Sequence, residues 1–285
     1  PLEVLIGDDQ SSDRTGEIVQ DLVARFPETV RYFRHESRLG GCKNYQFLLE
    51  RANGEFVAHL DGDDYWLSRK LAKQVALMDA HPELSASYTN ALCIDETGRA
   101  IAVFNNPQPE TFNFDYLLAQ GNFLNNSSMV YRSFAKQEIC DWPPDFVDYK
   151  IHLMLGELGN LGYVNSLGVA YRVNSTESMI LNHGEHVRES YWQAISEYST
   201  DRLMPDLRLS ASGDFLRRLF FRSMRVRSLG PLRKWWPIVS ATADGKTTKL
   251  VLLTVLNILA TGYREILSRV AARIGGTGLR VMYWR

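Results

Sequence analysis

The first hundred residues alternate short apolar runs with stretches of helical periodicity. Val4 to Gly7, Val30 to Arg34, Phe56 to Leu60 and Ala86 to Ile94 have the length and apolar character of strands. Between them, Ile18, Val19, Leu22, Val23 and Phe26 recur at helical spacing, as do Tyr45, Leu48, Leu49 and Ala52, then Leu71, Val75 and Met78. Ser12 and Asp13 stand where the first helix would be capped, and Ser68 where the third would be. Gly54 and His81-Pro82 read as stops. Strands alternating with helices predict an α/β layer structure with a sheet flanked by helices. From residue 100 to 175 the pattern loosens around strands near Ser128 to Arg132 and Val164 to Val173, with a helix from about Tyr149 to Leu158 between them. Past residue 185 the strand signals fade and helices follow, among them Gly213 to Arg227 and a long one from Thr247 to Ile274. A soft boundary near 200 divides an α/β domain, residues 1–200, from a helical region, residues 201–285.

Composition adds little until the chain is split. Its 285 residues allow about two domains, and 23% charged with 45% hydrophobic residues is a globular balance that excludes long disorder. Three widely spaced cysteines, Cys42, Cys93 and Cys140, do not make a disulfide framework or a four-ligand zinc site, and a reducing compartment is the simplest setting. Pro1 leads directly into a strand-like run, with no basic-then-apolar leader. Net charge is −1, but residues 1–200 carry 16 Lys+Arg against 28 Asp+Glu, and residues 201–285 carry 16 against 5. An acidic body disfavours nucleic acid as a partner, whereas a basic tail suits phosphate-bearing surfaces such as anionic lipid. The simpler alternative is that the two halves neutralise each other by docking.

Leu250 to Tyr263 is a run of fourteen uncharged residues, short of the roughly 20 that cross a bilayer as a helix, so a buried or interfacial helix is expected. Arg218, Arg222 and Arg225 share a helix face, and Arg233, Lys234 and Trp235-Trp236 follow, a pattern suited to peripheral contact with the cytoplasmic leaflet. The other readings are a solvated basic face with the tryptophans in the core, or self-association of the C-terminal helices.

Three acidic clusters fall at strand ends or helix starts, where an open α/β sheet places its ligands. They are Asp8-Asp9 with Ser11, Ser12 and Asp13, then Asp61-Gly62-Asp63-Asp64, then Asp145 and Asp148. Three carboxylates within four residues, behind a strand that is apolar except for His59, repel one another unless a cation relieves them. Oxygen ligands select a hard ion such as Mg2+ or Mn2+, which could bridge to a diphosphate.

The succession resembles a known family. Val4-Leu5-Ile6-Gly7-Asp8-Asp9-Gln10-Ser11-Ser12-Asp13-Arg14-Thr15, then Leu39-Gly40-Gly41-Cys42-Lys43-Asn44, then Ala52 through Trp66 with the Asp61-Gly62-Asp63-Asp64 turn, then Lys70-Leu71 through Gln74, resemble the inverting family 2 glycosyltransferases of GT-A fold. Asp148 ahead of a helix and Tyr171-Arg172-Val173-Asn174 resemble the acceptor-side elements, and the likeness extends over residues 1 to 180.

The resemblance implies a Rossmann-like mixed sheet and transfer of a sugar from a nucleotide-diphosphate donor to a hydroxyl of a glycan or lipid-linked acceptor. It implies that Asp9 receives the nucleobase edge with Asp8 and Ser11 beside it, and that Lys43, where relatives have arginine, lies near the nucleotide. Asp61 would meet the ribose or the metal, and Asp63 with Asp64 would hold Mn2+ or Mg2+ against the diphosphate. Asp148 would be the general base, with Asp145 its rival and a helix cap its structural alternative. Two departures stand out: the family's opening strand is missing, and Asn174 replaces a histidine that His183 or His186 could supply. A non-catalytic nucleotide-sugar or glycan-binding module is the competing class. A nucleotidyltransferase, which also uses metal and carboxylates, would carry a Gly-rich basic loop that the start of this chain lacks.

Overall fold

The computed structural model describes residues 1–173, 184–198, 205–274 and 279–283. Strand β1 (Val4–Asp8) pairs in parallel with β2 (Val30–Arg34), and α1 (Thr15–Arg25) connects them. Then come α2 (Gly41–Arg51), β3 (Phe56–Ala58), the acidic turn, β4 (Tyr65–Trp66) and α3 (Lys70–Ala80). Strands β5 (Leu84–Ile94), β6 (Ala100–Asn105) and β7 (Thr111–Phe112) lead to α4 (Phe114–Gln120) and a 3-10 turn at Asn126–Ser128. Strand β8 (Val130–Arg132), α5 (Lys136–Asp141), α6 (Asp148–Leu158) and β9 (Asn160–Arg172) complete the α/β part. The C-terminal part holds α7 (Gly184–Tyr198), α8 (Pro205–Arg225), α9 (Gly230–Ala241), α10 (Thr247–Ile274) and β10 (Arg280–Tyr283).

The sheet is mixed, as expected. Its main path runs β10-β6-β5-β8-β3, and β9 pairs with β5, β4 and β7. β5 lies in the middle, parallel to β9 on one side and antiparallel to β6 and β8 on the other. Helices cover it, so ten of its eleven residues are buried and its polar side chains find internal partners. Asn90 donates to Asn105 O at 2.8 Å, and Gln74 of α3 donates to Ser87 O and Ser128 O, both at 2.9 Å. β1 pairs only with β2, and β3 only with β8, among the described residues, so the sheet is divided in two.

One hydrophobic core runs from Leu49, Tyr88, Leu117 and Tyr149 into Phe215, Trp235, Val239 and Leu250. The basic helices therefore pack on the acidic body, and Lys234 pairs with Glu185 at 2.6 Å and Glu189 at 3.0 Å. The boundary expected near 200 falls at residues outside the described set. Trp235 is no interfacial residue: it is buried against Phe215 and Trp192, whereas Trp236 is partly exposed. Ser68 does not cap α3, because Arg69 in the left-handed region precedes that helix and no side chain caps it. Helix α10 also outruns its uncharged stretch: Thr247–Val270 has mean hydropathy 1.5, so length and composition alone permit a span. One face of α10 packs on α8 through the buried Leu250 and through Thr261, which accepts from Arg217 at 3.4 Å. Its opposite face leaves Leu252, Leu256, Leu259, Tyr263, Ile266 and Val270 exposed.

Gly121 closes α4 with φ +69°, and a Cβ there would lie 2.2 Å from an oxygen of Asp214 and 2.9 Å from Nη2 of Arg218. Gly121→Ala is expected to cost about 2 kcal/mol in chemical denaturation, from the left-handed backbone and the displaced ion pair; wild-type stability would contradict this packing.

Candidate active site

β1 delivers the first acidic pair. Asp8 is buried and accepts from the Ser11 amide at 2.6 Å and from the Tyr32 hydroxyl, with Arg34 at 3.8 Å. Burial opposes its charge, but Tyr32, Ser11 and Arg34 outweigh burial and hold the carboxyl below its usual range. Asp9 turns the other way and accepts from the amides of Leu39 at 2.6 Å and Gly40 at 2.9 Å, fixing the loop that opens α2. Lys43, on the first turn of α2, is exposed with no hydrogen-bond or ion-pair partner among the described residues.

The turn after β3 spreads its three carboxylates. Asp61 meets His59 Nε2 at 2.9 Å and the Ser127 hydroxyl at 3.1 Å. Burial opposes its ionisation, yet these partners keep its carboxyl low. Asp63 is exposed. Asp64 is buried: one oxygen accepts from the Arg172 amide at 2.8 Å, and the other has no partner among the described residues. Burial, with Asp63 and Asp61 nearby, pushes its carboxyl up to about 6. Arg172, at the end of β9, also donates Nε to Asp63 O at 3.1 Å and Nη1 to Asp95 O at 2.9 Å, fastening the turn to the sheet.

Asp148 is the first residue of α6 and does not act as its cap, which is Val147. Its Oδ1 accepts from the Tyr149 amide at 2.7 Å and from Asn122 Nδ2 at 3.2 Å. Burial pushes this carboxyl up to about 6; the charge of Asp61 adds to the rise, while the Tyr149 amide, Asn122 and Arg218 oppose it. The Tyr171 phenol, pushed up mainly by burial, also feels Asp64, Asp148 and Asp61, so these acids face one region of the fold. Asp145 is exposed and spent on His186, 2.8 Å away. His186 is thereby tied to Asp145, and Asn174 and His183 lie outside the described residues.

Among the described residues no three His, Cys, Asp or Glu side chains stand close enough to hold an ion by themselves. What the turn offers is the exposed Asp63 carboxylate beside Asp61 and a buried, unpartnered oxygen of Asp64. This set fits Mg2+ as it is commonly held, by one or two carboxylates with substrate phosphates completing the shell.

Asn122 went unnoticed in the sequence. It donates to Asp148, accepts at its side-chain oxygen from His152 Nδ1 at 3.2 Å, and its carbonyl accepts from Arg218 Nη2 at 2.8 Å. His152 is fully buried and held neutral, its pKa lowered by burial to about 3. The i, i+4 spacing of Asp148 and His152 could have placed both on one face of α6; nothing local marks Asn122 or the long-range reach of Arg218.

Comparison with known proteins follows this layout. A Mycobacterium tuberculosis protein described as uncharacterized is 32% identical over 176 residues, covering 60% of this chain and 50% of its own. The chain thus spans about half the length of the mycobacterial relatives it matches. WfaP of Escherichia coli, named as a UDP-Glc:alpha-D-GlcNAc-diphosphoundecaprenol beta-1,3-glucosyltransferase, is 25% identical over 190 residues, 66% of this chain and 72% of its own. The S. aureus protein TarS, solved with UDP-GlcNAc, is 17% identical with a TM-score of 0.61 over 90% of this chain and 80% of its own, a likeness of fold. Residues 1–139, just under half of the chain, match the family model of Glycosyl transferase family 2, and it is that segment which is similar to the family.

Proposed function

We propose that the protein transfers a sugar from a nucleotide-diphosphate donor to a hydroxyl of a glycan or lipid-linked acceptor, inverting the anomeric centre. The observation that carries this reading is the half-buried Asp148 carboxylate, which feels the charge of Asp61 at the edge of the acidic turn. A base and a diphosphate-binding turn on one cleft are what an inverting displacement needs. WfaP's named donor and acceptor belong to the same class.

In this reading Asp148 takes the proton from the acceptor hydroxyl as its oxygen forms the bond to the anomeric carbon. The bond from that carbon to the donor's phosphate oxygen breaks, and the nucleoside diphosphate leaves with the electron pair. Asn122 and the Tyr149 amide orient the Asp148 carboxylate for this transfer. A divalent cation, Mn2+ or Mg2+, held by Asp63 with Asp61 and Asp64, would supply positive charge against the diphosphate. Asp8, Asp9, Ser11 and Lys43 line the nucleotide end.

Peripheral attachment to the cytoplasmic face of a membrane accompanies this reading. Its support is the basic balance of residues 201–285 and the exposed apolar row of α10, whose opposite face is taken up by α8. A helix packed along one side on protein suits lying in the interface better than full immersion.

Asp63→Ala is expected to abolish transfer in a nucleoside-diphosphate release assay; full activity would remove the turn from the site. Asp148→Asn is expected to lower turnover by about 10²-fold or more with donor affinity unchanged, and wild-type turnover would dismiss the base assignment. Because a base must be deprotonated, wild-type turnover should rise as pH increases through about 6. The same raised carboxyl costs stability when ionised: that cost is absent below about pH 4, the range of an unfolded carboxyl, and fully present above about 6. Asp148→Asn should therefore raise the melting temperature at pH 8 and not at pH 4. Flotation with anionic liposomes at low salt is expected to carry the protein upward; failure to co-migrate would favour self-association through the same helix.

A further inference from the structure

A cavity of about 220 Å³ lies between α8, α10 and β10, apart from the acidic turn. Its wall includes Arg217, Arg218, Arg222 and Arg225, with Thr261 and Tyr283. Four guanidiniums stand here against the single carboxylate of Asp214, which is buried and accepts from Arg217 Nη2 at 2.7 Å and Arg218 Nε at 2.8 Å. Asp214 thereby fixes two of the four forks in place. Arg222 and Arg225 have no hydrogen-bond or ion-pair partner among the described residues.

Arg222 is half-buried and Arg225 exposed, so both can turn to an anion entering the pocket, and planar guanidinium forks match phosphate oxygens in paired hydrogen bonds. The cavity is too small for a nucleotide sugar and suits a phosphate or diphosphate group. Its position narrows the source. Arg218 lines the cavity and also donates to the Asn122 carbonyl, and the Asn122 side chain donates to Asp148. One residue thus separates the arginine pocket from the base. A sugar joined through its anomeric oxygen to a diphosphate presents its hydroxyls one ring away from the phosphate. The pocket also reaches the apolar side chains of Phe221 and Met282, and Thr261 belongs to the helix whose other face is an exposed apolar row.

We infer that the pocket formed by Arg217, Arg218, Arg222 and Arg225 binds the diphosphate of a lipid-linked acceptor and so places its sugar hydroxyl at Asp148. This deepens the transferase reading and rests on it for the acceptor's role. Arg222 and Arg225 supply the free charges, and Arg218 couples the occupied pocket to the base.

Calorimetry in EDTA, without divalent ion, measures the pocket apart from a cation-dependent donor site. Wild-type protein is expected to bind farnesyl diphosphate at least about tenfold more tightly than inorganic pyrophosphate. The doubly substituted Arg222→Ala, Arg225→Ala protein should lose at least about tenfold for both, while Asp63→Ala keeps them. Unchanged affinity in the double variant overturns the site, and tighter binding of pyrophosphate than of farnesyl diphosphate overturns its assignment to a lipid-linked group. In transfer assays the double variant should raise KM for a diphosphate-lipid acceptor at least about tenfold with the donor KM unmoved. An unmoved acceptor KM overturns the inference and leaves the transferase reading standing. Failure of the wild type to transfer from any nucleotide sugar overturns that reading and the acceptor role together, whatever the pocket binds.

Discussion

A half-buried carboxylate held within the field of another is the costly feature around which this molecule is arranged. Asp148 sits at the start of α6, half-buried and within the field of Asp61. Among the described residues no ion pair neutralises it. It receives one backbone amide and one side-chain amide, and Arg218 acts on it only through space and through Asn122. A direct arginine contact would have driven the carboxyl down and left a weaker base. The arrangement keeps the group ionisable near neutral pH and oriented, which is the state a proton acceptor requires.

The same constraint explains why the C-terminal helices belong to the site. Gly121 has room for no side chain because Asp214 and Arg218 of α8 press against it, and that contact sets the backbone of Asn122. The core continues from the sheet into α8 and α9, so Asp148 is steadied from the part of the chain that sequence reads as a separate basic region. Charge separation along the chain thus ends in juxtaposition. Arg218 of the arginine pocket reaches Asp148 through Asn122, and Thr261 of the same pocket belongs to α10, whose other face is the exposed apolar row.

The strands and helices with strong periodicity were legible: β2 and α10 have the expected bounds, and α6 begins one residue early, at Asp148 itself. Short elements such as β7 and β10 carry no pattern of their own, because their pairing with β9 and β6 is decided by distant partners. The acidic turn was legible as a concentration of like charge, but not its division of labour. Only the fold reveals that Asp64 turns inward to the Arg172 amide while Asp63 faces solvent. Helix periodicity grouped Arg218 with Arg222 and Arg225 correctly, yet it could not tell that Arg218 is drawn inward by Asp214 while the other two side chains have no partner among the described residues. Trp235 stays open between interface and core in the sequence for a related reason: adjacency to Trp236 and Lys234 looks interfacial until α7 and α8 close over one ring.

The coupling between Asp148 and the acidic turn can be read directly by carboxyl-carbon NMR titration of Asp148 in the wild type and in Asp61→Asn. A midpoint of about 6 in the wild type, lowered when the Asp61 charge is removed but still above that of an ordinary aspartate because burial remains, is what a shared cleft requires. An Asp148 that titrates like a free carboxyl in both proteins would mean that the two acids do not face each other, and the account of a base set against a diphosphate-binding turn would be wrong.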